Sequence, residues 1–119
     1  MRMERHDPEC IFCRIIAGDI PSDRVYENDT VVAFRDIQPV APTHILIVPR
    51  AHVPSVSGLE DADTVIAGAL LLAARDIAAS EGLEPNGYRV VSNVGDWAGQ
   101  TVYHLHIHIL GGRQLGPMG

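Results

Sequence analysis

Three of the six histidines of this 119-residue chain fall within five residues, in the run "His104-Leu-His-Ile-His-Ile-Leu110". Such a row could be a metal site, a catalytic site, or an ordinary strand that carries imidazoles. Strict alternation with aliphatic residues predicts a half-buried strand. On a strand, residues i, i+2 and i+4 share a face, so the three imidazoles lie together while Leu105, Ile107 and Ile109 point into a core. His104 and His108 are then roughly 13 Å apart along the backbone. Neighbours in the row could share one ion. All three on a single tetrahedral zinc, with nitrogens at about 2.0–2.1 Å, would be strained. The row therefore divides between jobs. An exposed polar strand face is the bland alternative, and three aligned imidazoles argue against it.

A second constellation is "Cys10-Ile-Phe-Cys13". A Cys-x-x-Cys pair can be a redox disulfide, half of a zinc site, or two buried small residues. Against redox chemistry, bulky Ile11 and Phe12 separate the sulfurs and no strand runs into the motif as in thioredoxin-like proteins. A static disulfide is out of place in a cytosolic protein. A closed zinc site needs four ligands, and histidines elsewhere in the chain offer two further nitrogen donors.

The elements that must position these groups follow from patterning. Residues 1–7 read as a loose tail, with His6 solvated. The apolar spacing of "Cys10-Ile-Phe-Cys-Arg-Ile-Ile-Ala17" predicts a short helix ended by Gly18. Strand-like runs follow at 24–27 and 31–34 around the turn-prone "Asn28-Asp29", and "His44-Ile-Leu-Ile-Val48" predicts a buried strand stopping at Pro49. Ser57 and Glu60 have capping-box spacing ahead of a helix over 64–79 that ends by Gly82. Its stripe of Ile66, Leu70, Ala73 and Ile77 is core packing. Residues 88–92 predict another strand and 95–99 a loop. There is no internal repeat or linker. Strands in short-loop succession with inserted helices favour one antiparallel α+β domain.

Composition narrows the function classes. Hydrophobic residues at 46% and charged residues at 20% describe a globular chain. A net charge of −6 argues against nucleic acid or an anionic membrane as the main partner. All nine basic residues are Arg, so Schiff-base chemistry and a Walker-type lysine are excluded. No apolar stretch suits a bilayer span, and "MRMERHDPEC" has no secretory h-region, so the cytoplasm is the expected location.

The histidine row resembles the motif of the histidine triad (HIT) superfamily of nucleotide hydrolases and transferases. The similarity extends over nearly the whole chain through "Cys10-Ile-Phe-Cys-Arg-Ile-Ile16", "Ala33-Phe-Arg-Asp-Ile37", "Ala41-Pro-Thr-His44", "Val48-Pro-Arg-Ala-His52" and "Gly99-Gln-Thr-Val-Tyr-His104". The ending "Gly111-Gly-Arg-Gln114" resembles the purine nucleoside phosphoramidase branch. The resemblance implies a HIT-like fold over 1–119: an antiparallel sheet of about five strands with two helices, extended across a homodimer. The dimer interface would use the helix carrying "Ala69-Leu-Leu-Leu-Ala-Ala74" and the strand after Asn86.

It also implies roles. His106 would be the nucleophile forming a covalent nucleotidyl-histidine, its tautomer fixed by the His104 carbonyl. His44 and His108 would contact phosphoryl oxygens or the leaving group, and no metal would be needed for the chemical step. Asp36 would accept the ribose hydroxyls. Phe12, Ile15, Phe34 and Ile37 would wall the purine, and Asn93, Gly99, Gln100 and Thr101 would lie near the α-phosphate. Zinc would be held by Cys10, Cys13, His52 and His104. The implied reaction cleaves AMP- or GMP-amine conjugates to the nucleoside monophosphate and an amine. Cleavage of dinucleoside polyphosphates is the alternative enzyme reading, and a zinc-binding scaffold or signalling protein with a vestigial site is the alternative of another class. Thr101 stands where that branch usually has Ser, and the chain's "Leu-Gly-Pro-Met-Gly119" ending lacks the tryptophan-bearing tail of some members. Trp97 is a loop residue that could partly substitute for it.

Overall fold

The computed structural model describes residues 5–118. Helix α1 spans Ile11–Ala17, strand β1 Arg24–Glu27, β2 Val31–Arg35, β3 Thr43–Pro49, helix α2 Thr64–Ser80, β4 Arg89–Val91 and β5 Ile107–Gly111. The strands form one antiparallel sheet in the order β1-β2-β3-β5-β4, so the last strand lies between the third and the fourth. This is the α+β architecture that the patterning predicts. No described helix is long and apolar enough to cross a membrane.

Period two sorts the central strands into two faces. Val31, Ala33, Ile45, Ile47, Leu105, Ile107 and Ile109 pack beneath α2, whose Ile66, Leu70, Ala73, Ala74, Ile77 and Ala78 face them. Val32, Phe34, Leu46 and Val48 point the other way, onto Cys10, Phe12, Cys13 and Ile15 of the α1 segment. Fully burying an Ile or Leu stabilises by roughly 1.5–3 kcal/mol, so the α2 face carries most of the fold. The α1 face is smaller, and it carries the chemistry.

α1 begins at Cys10, whose Sγ accepts the Cys13 N–H, and ends at Gly18 in the left-handed conformation (φ 87°). The capping box sits three residues later than the sequence suggests. Glu60 and Asp63 exchange backbone N–H bonds around a short 3-10 turn, and Ser57 lies in a separate turn. Asp63 is buried and paired with Arg5 at 2.9 Å, which a Ser at that position could not match. Residues 1–4 of the tail lie outside the described residues. From Arg5 the segment is docked: the Arg5 carbonyl accepts the His52 N–H, and His6 is exposed.

Only His108 of the histidine row lies in β5, and the strand over the whole row is shortened to Ile107–Gly111. The partner strand ends first. β3 pairs with β5 from Thr43↔Gly111 to Ile47↔Ile107, then stops at Pro49, and Leu105 N–H bonds to the Val53 carbonyl instead. The two-sided sorting survives this loss, because Leu105 stays under α2 while His104 and His106 meet Phe12 on the other face.

Candidate active site and thiol–imidazole centre

β3 and β5 place His44 and His108 together. Leu46 lies directly opposite His108 and His44 opposite Leu110, so both imidazoles face α1, with His44 Nε2 2.9 Å from His108 Nδ1. The backbone N–H of Val40 donates to His44 Nδ1 at 3.1 Å. That bond requires an unprotonated Nδ1, so the neutral ring carries its proton on Nε2. There it faces His108 Nδ1 and, at 3.4 Å, Asp36 Oδ2. Donation to the nearer nitrogen leaves the proton of His108 on its own Nε2. The other oxygen of Asp36 accepts the Gln38 N–H at 2.8 Å.

His106 has the complementary arrangement. Its Nδ1 donates to the His104 carbonyl at 2.7 Å, so its Nε2 keeps a lone pair. Ser92 Oγ donates to the His106 carbonyl at 2.9 Å and holds the backbone from the far side. The His106 and His108 ring centres are 5.1 Å apart, and Phe12 stands edge-on to His106 at 5.1 Å. Burial pushes His108 down to about 4, helped by His106 and His44. Burial lowers His44 as well, against the pull of Asp36. His44 and His108 are therefore neutral near pH 7.

His106 and His108 open onto a cavity of about 320 Å³ lined by Phe12, Ile15, Phe34, Asp36, Thr101 and Val102 among others. Its apolar flank, its single carboxylate and its basic floor converge as ligand sites do. Ile37 lines it as well but is 94% exposed, a rim residue and not an enclosing wall. Gln100 and Asn93 serve the adjoining loop. Gln100 Nε2 donates to the Pro54 and Val102 carbonyls and its Oε1 accepts the Gly95 N–H, while Asn93 Nδ2 donates to the Ala98 carbonyl. Gly99 adopts φ 84°, which favours glycine. Trp97, at the loop tip, is fully exposed. Leu46 and Val102 line the cavity, and Val40, Pro49 and Ser92 fix histidines through backbone or hydroxyl bonds. Only Pro49 left a signal in the sequence, as the end of β3. A larger hollow of about 570 Å³ near Arg5, His6, Arg50 and Asp63 includes none of His44, His106 and His108, and its two arginines pair with Asp63 and Glu27.

On the other side of Phe12, Cys10, Cys13, His52 and His104 bring four donor atoms within 4.8 Å of one another. His104 Nδ1 lies 3.4 Å from Cys10 Sγ, 3.6 Å from Cys13 Sγ and 3.2 Å from His52 Nδ1, and Cys13 Sγ is 3.4 Å from His52 Nδ1. A tetrahedral zinc with ordinary bond lengths spaces its donors about 3.3–3.8 Å apart, so these separations fit. His104 Nε2 donates to the Pro49 carbonyl at 2.8 Å, leaving Nδ1 free to ligate. Burial pushes the Cys13 thiol up to about 11, a cost that a cation at the centre reverses. The residues between the cysteines do not hold the sulfurs apart: Phe12 turns into the core and Ile11 is exposed.

The HIT domain model matches residues 17–115. The chain belongs to the HIT family. Among relatives of this HIT chain, the purine nucleoside phosphoramidase of Escherichia coli K12 is 49% identical over 110 residues, 92% of each chain. A histidine triad protein from Clostridium difficile superposes with a TM-score of 0.92 at 43% identity, covering 96% of this chain and 99% of the other. A HIT family hydrolase from Legionella pneumophila gives 0.89 at 45% identity, covering 91% and 96%.

Proposed function

We propose that this HIT protein hydrolyses purine nucleoside 5′-phosphoramidates to the nucleoside monophosphate and an amine, through a covalent nucleotidyl-His106. The observation that carries the reading is the pair of opposite tautomers: a bare Nε2 on His106 and a protonated Nε2 on His108, facing one cavity. The bare nitrogen attacks phosphorus, and the protonated one donates to the departing amine nitrogen, which must take a proton to leave. The His44 N–H steadies the deprotonated His108 ring through their contact; water then displaces the nucleotide from His106 and gives its proton to His108 Nε2. The carboxylate of Asp36 accepts the ribose hydroxyls, and Phe12, Ile15 and Phe34 flank the base. Gly99 and Thr101 meet the phosphate, with Asn93 and Gln100 holding their loop. The Escherichia coli relative's name supports the phosphoramidate over a dinucleoside polyphosphate, and intact His44, His106 and His108 speak against a vestigial scaffold.

Zinc is the group that the four-donor centre suits. When bound it supplies no chemistry to the reaction; it ties α1 to the segment behind His106. The purified protein is expected to release AMP from an AMP-amine conjugate with chelator present, more slowly from the deoxyribose analogue, and to yield an acid-labile AMP adduct on His106 after rapid quenching. Diadenosine polyphosphate turned over faster than the conjugate would reverse the substrate assignment, and absence of any adduct would remove the covalent step.

The reading includes a cytoplasmic homodimer. β4 is an edge strand, with Val90 40% exposed on it and Leu71 and Leu72 exposed on α2. Pairing β4 across a two-fold axis gives that edge its missing hydrogen bonds. Light scattering should give twice the chain mass at micromolar concentration; a stable monomer there would defeat the dimer.

A further inference from the structure

We propose that Cys10 and Cys13 form a peroxide-sensitive dithiol whose oxidation loosens the nucleobase wall by moving Phe12. Three observations meet at this segment. The sulfurs lie within 4.8 Å of each other, and the Cys13 N–H already points at Cys10 Sγ. A second cavity of about 320 Å³ reaches Cys10, lined also by Asp7, Glu9, Ile11, His52 and Tyr103, among others. Cys10 is 9% exposed and Cys13 is fully buried, so a small oxidant entering that cavity meets Cys10 first. Finally, one of the two residues between the cysteines touches the reaction centre: Phe12 packs edge-on to His104 at 5.9 Å and to His106 at 5.1 Å, and lines the nucleotide cavity.

The step balances with hydrogen peroxide as oxidant. The Cys10 thiolate attacks one peroxide oxygen, the O–O bond breaks, and the released hydroxide takes a proton to become water. The Cys13 thiolate then attacks the sulfur of the Cys10 sulfenic acid and expels a second hydroxide, which is protonated likewise. Two thiolates, one peroxide and two protons give one disulfide and two waters. The new S–S bond is about 2.05 Å long, so the sulfurs must close up and leave His52 and His104. A zinc ion loses two of its four donors in the same event. Residues 10–13 are a helix cap and its first turn, so this contraction turns Phe12 with them. A thiol reductant reverses the change.

The base-wall part rests on the proposed nucleotide site, and the experiment separates the two. Zinc-loaded and metal-stripped protein are each treated with stoichiometric hydrogen peroxide. Intact mass, zinc release to a chromophoric chelator, AMP affinity by calorimetry and the histidine ring NMR spectrum are then followed. Both forms are expected to lose two hydrogens per chain, and the loaded form to release its zinc. The AMP Kd is expected to rise about tenfold. The ring signals of His104 and His106 are expected to shift far more than those of His44 and His108, and a phosphine reductant should restore all four readouts. If AMP fails to bind the reduced protein the nucleotide reading falls, and the ring signals still decide the movement of Phe12. Absence of the disulfide, or a disulfide that leaves the His106 signals unmoved, overturns the proposal.

Discussion

The sheet face under α1 carries two clusters whose donor atoms lie within 4.8 Å of one another: Cys10, Cys13, His52 and His104, and Asp36, His44 and His108. Distance alone does not tell them apart. Their outer hydrogen bonds do. His104 donates its far nitrogen to the Pro49 carbonyl, which frees the near one as a lone pair for a cation. The far nitrogen of His44 receives the Val40 N–H, which forces the near one to carry a proton. A ligating His44 would need both nitrogens as acceptors while neutral, which an imidazole cannot provide. The first cluster offers a cation its lone pairs, and the second sets a proton between its rings. One backbone donor in place of one backbone acceptor makes the difference.

The sharpest way to break this contrast is a crossed pair of variants. His106→Asn, in the proton-handling half, is expected to lower kcat by roughly 10⁴-fold or more while zinc stays at about one per chain. Cys13→Ser should do the reverse: zinc is lost and Tm falls by roughly 10 °C, with kcat kept within about tenfold. Two zinc ions per chain by elemental analysis would erase the distinction. A smaller effect is expected for His44→Gln. Losing the N–H that steadies His108 as it gives up its proton should cost roughly 10²-fold in kcat, with the metal content unchanged. The penalty should shrink for conjugates whose leaving group is a weakly basic phenol, because that group departs without a proton. An equal loss on both leaving groups would take His44 out of that role.

The smallest effect is on pH and stability. His108 sits near 4 when folded and near 6.5 when unfolded, so below pH 6.5 the unfolded chain binds the extra proton. Its contribution is present above pH 6.5 and is lost as pH falls toward 4. Tm should drop by roughly 5 °C between pH 7 and 5, and His108→Asn should reduce that slope. A variant with the wild-type slope would show that the acid sensitivity lies elsewhere.

Much of this was legible before any coordinates. Alternation placed Leu105, Ile107 and Ile109 in a core and the histidines on the other side, and the stripe on α2 matched its buried residues. Family resemblance supplied the four-residue thiol–imidazole set, which spacing alone left open between redox, metal and packing. The length of β5 was not legible, because it depends on where β3 stops as a partner. The shifted capping box escaped for a related reason: it depends on Arg5 reaching the buried Asp63. The resemblance supplied the His106 tautomer, but those of His44 and His108 escaped, since they are set by the backbone of Val40, whose side chain has no part in the bond. Gln100 was expected at the phosphate, yet its amide is spent on Pro54, Val102 and Gly95, contacts that only the folded loop creates.

The strand order has a consequence for synthesis. β5, made last, is inserted between β3 and β4, both already made. Until Ile107–Gly111 is available, β3 presents "His44-Ile-Leu-Ile-Val48" with one open edge, the kind of apolar template on which nascent chains stick to one another. Those five residues close the edge and add His108 to His44 in the same movement, so a ribosome that stalls before them releases a chain without its histidine pair and with its most adhesive strand uncovered.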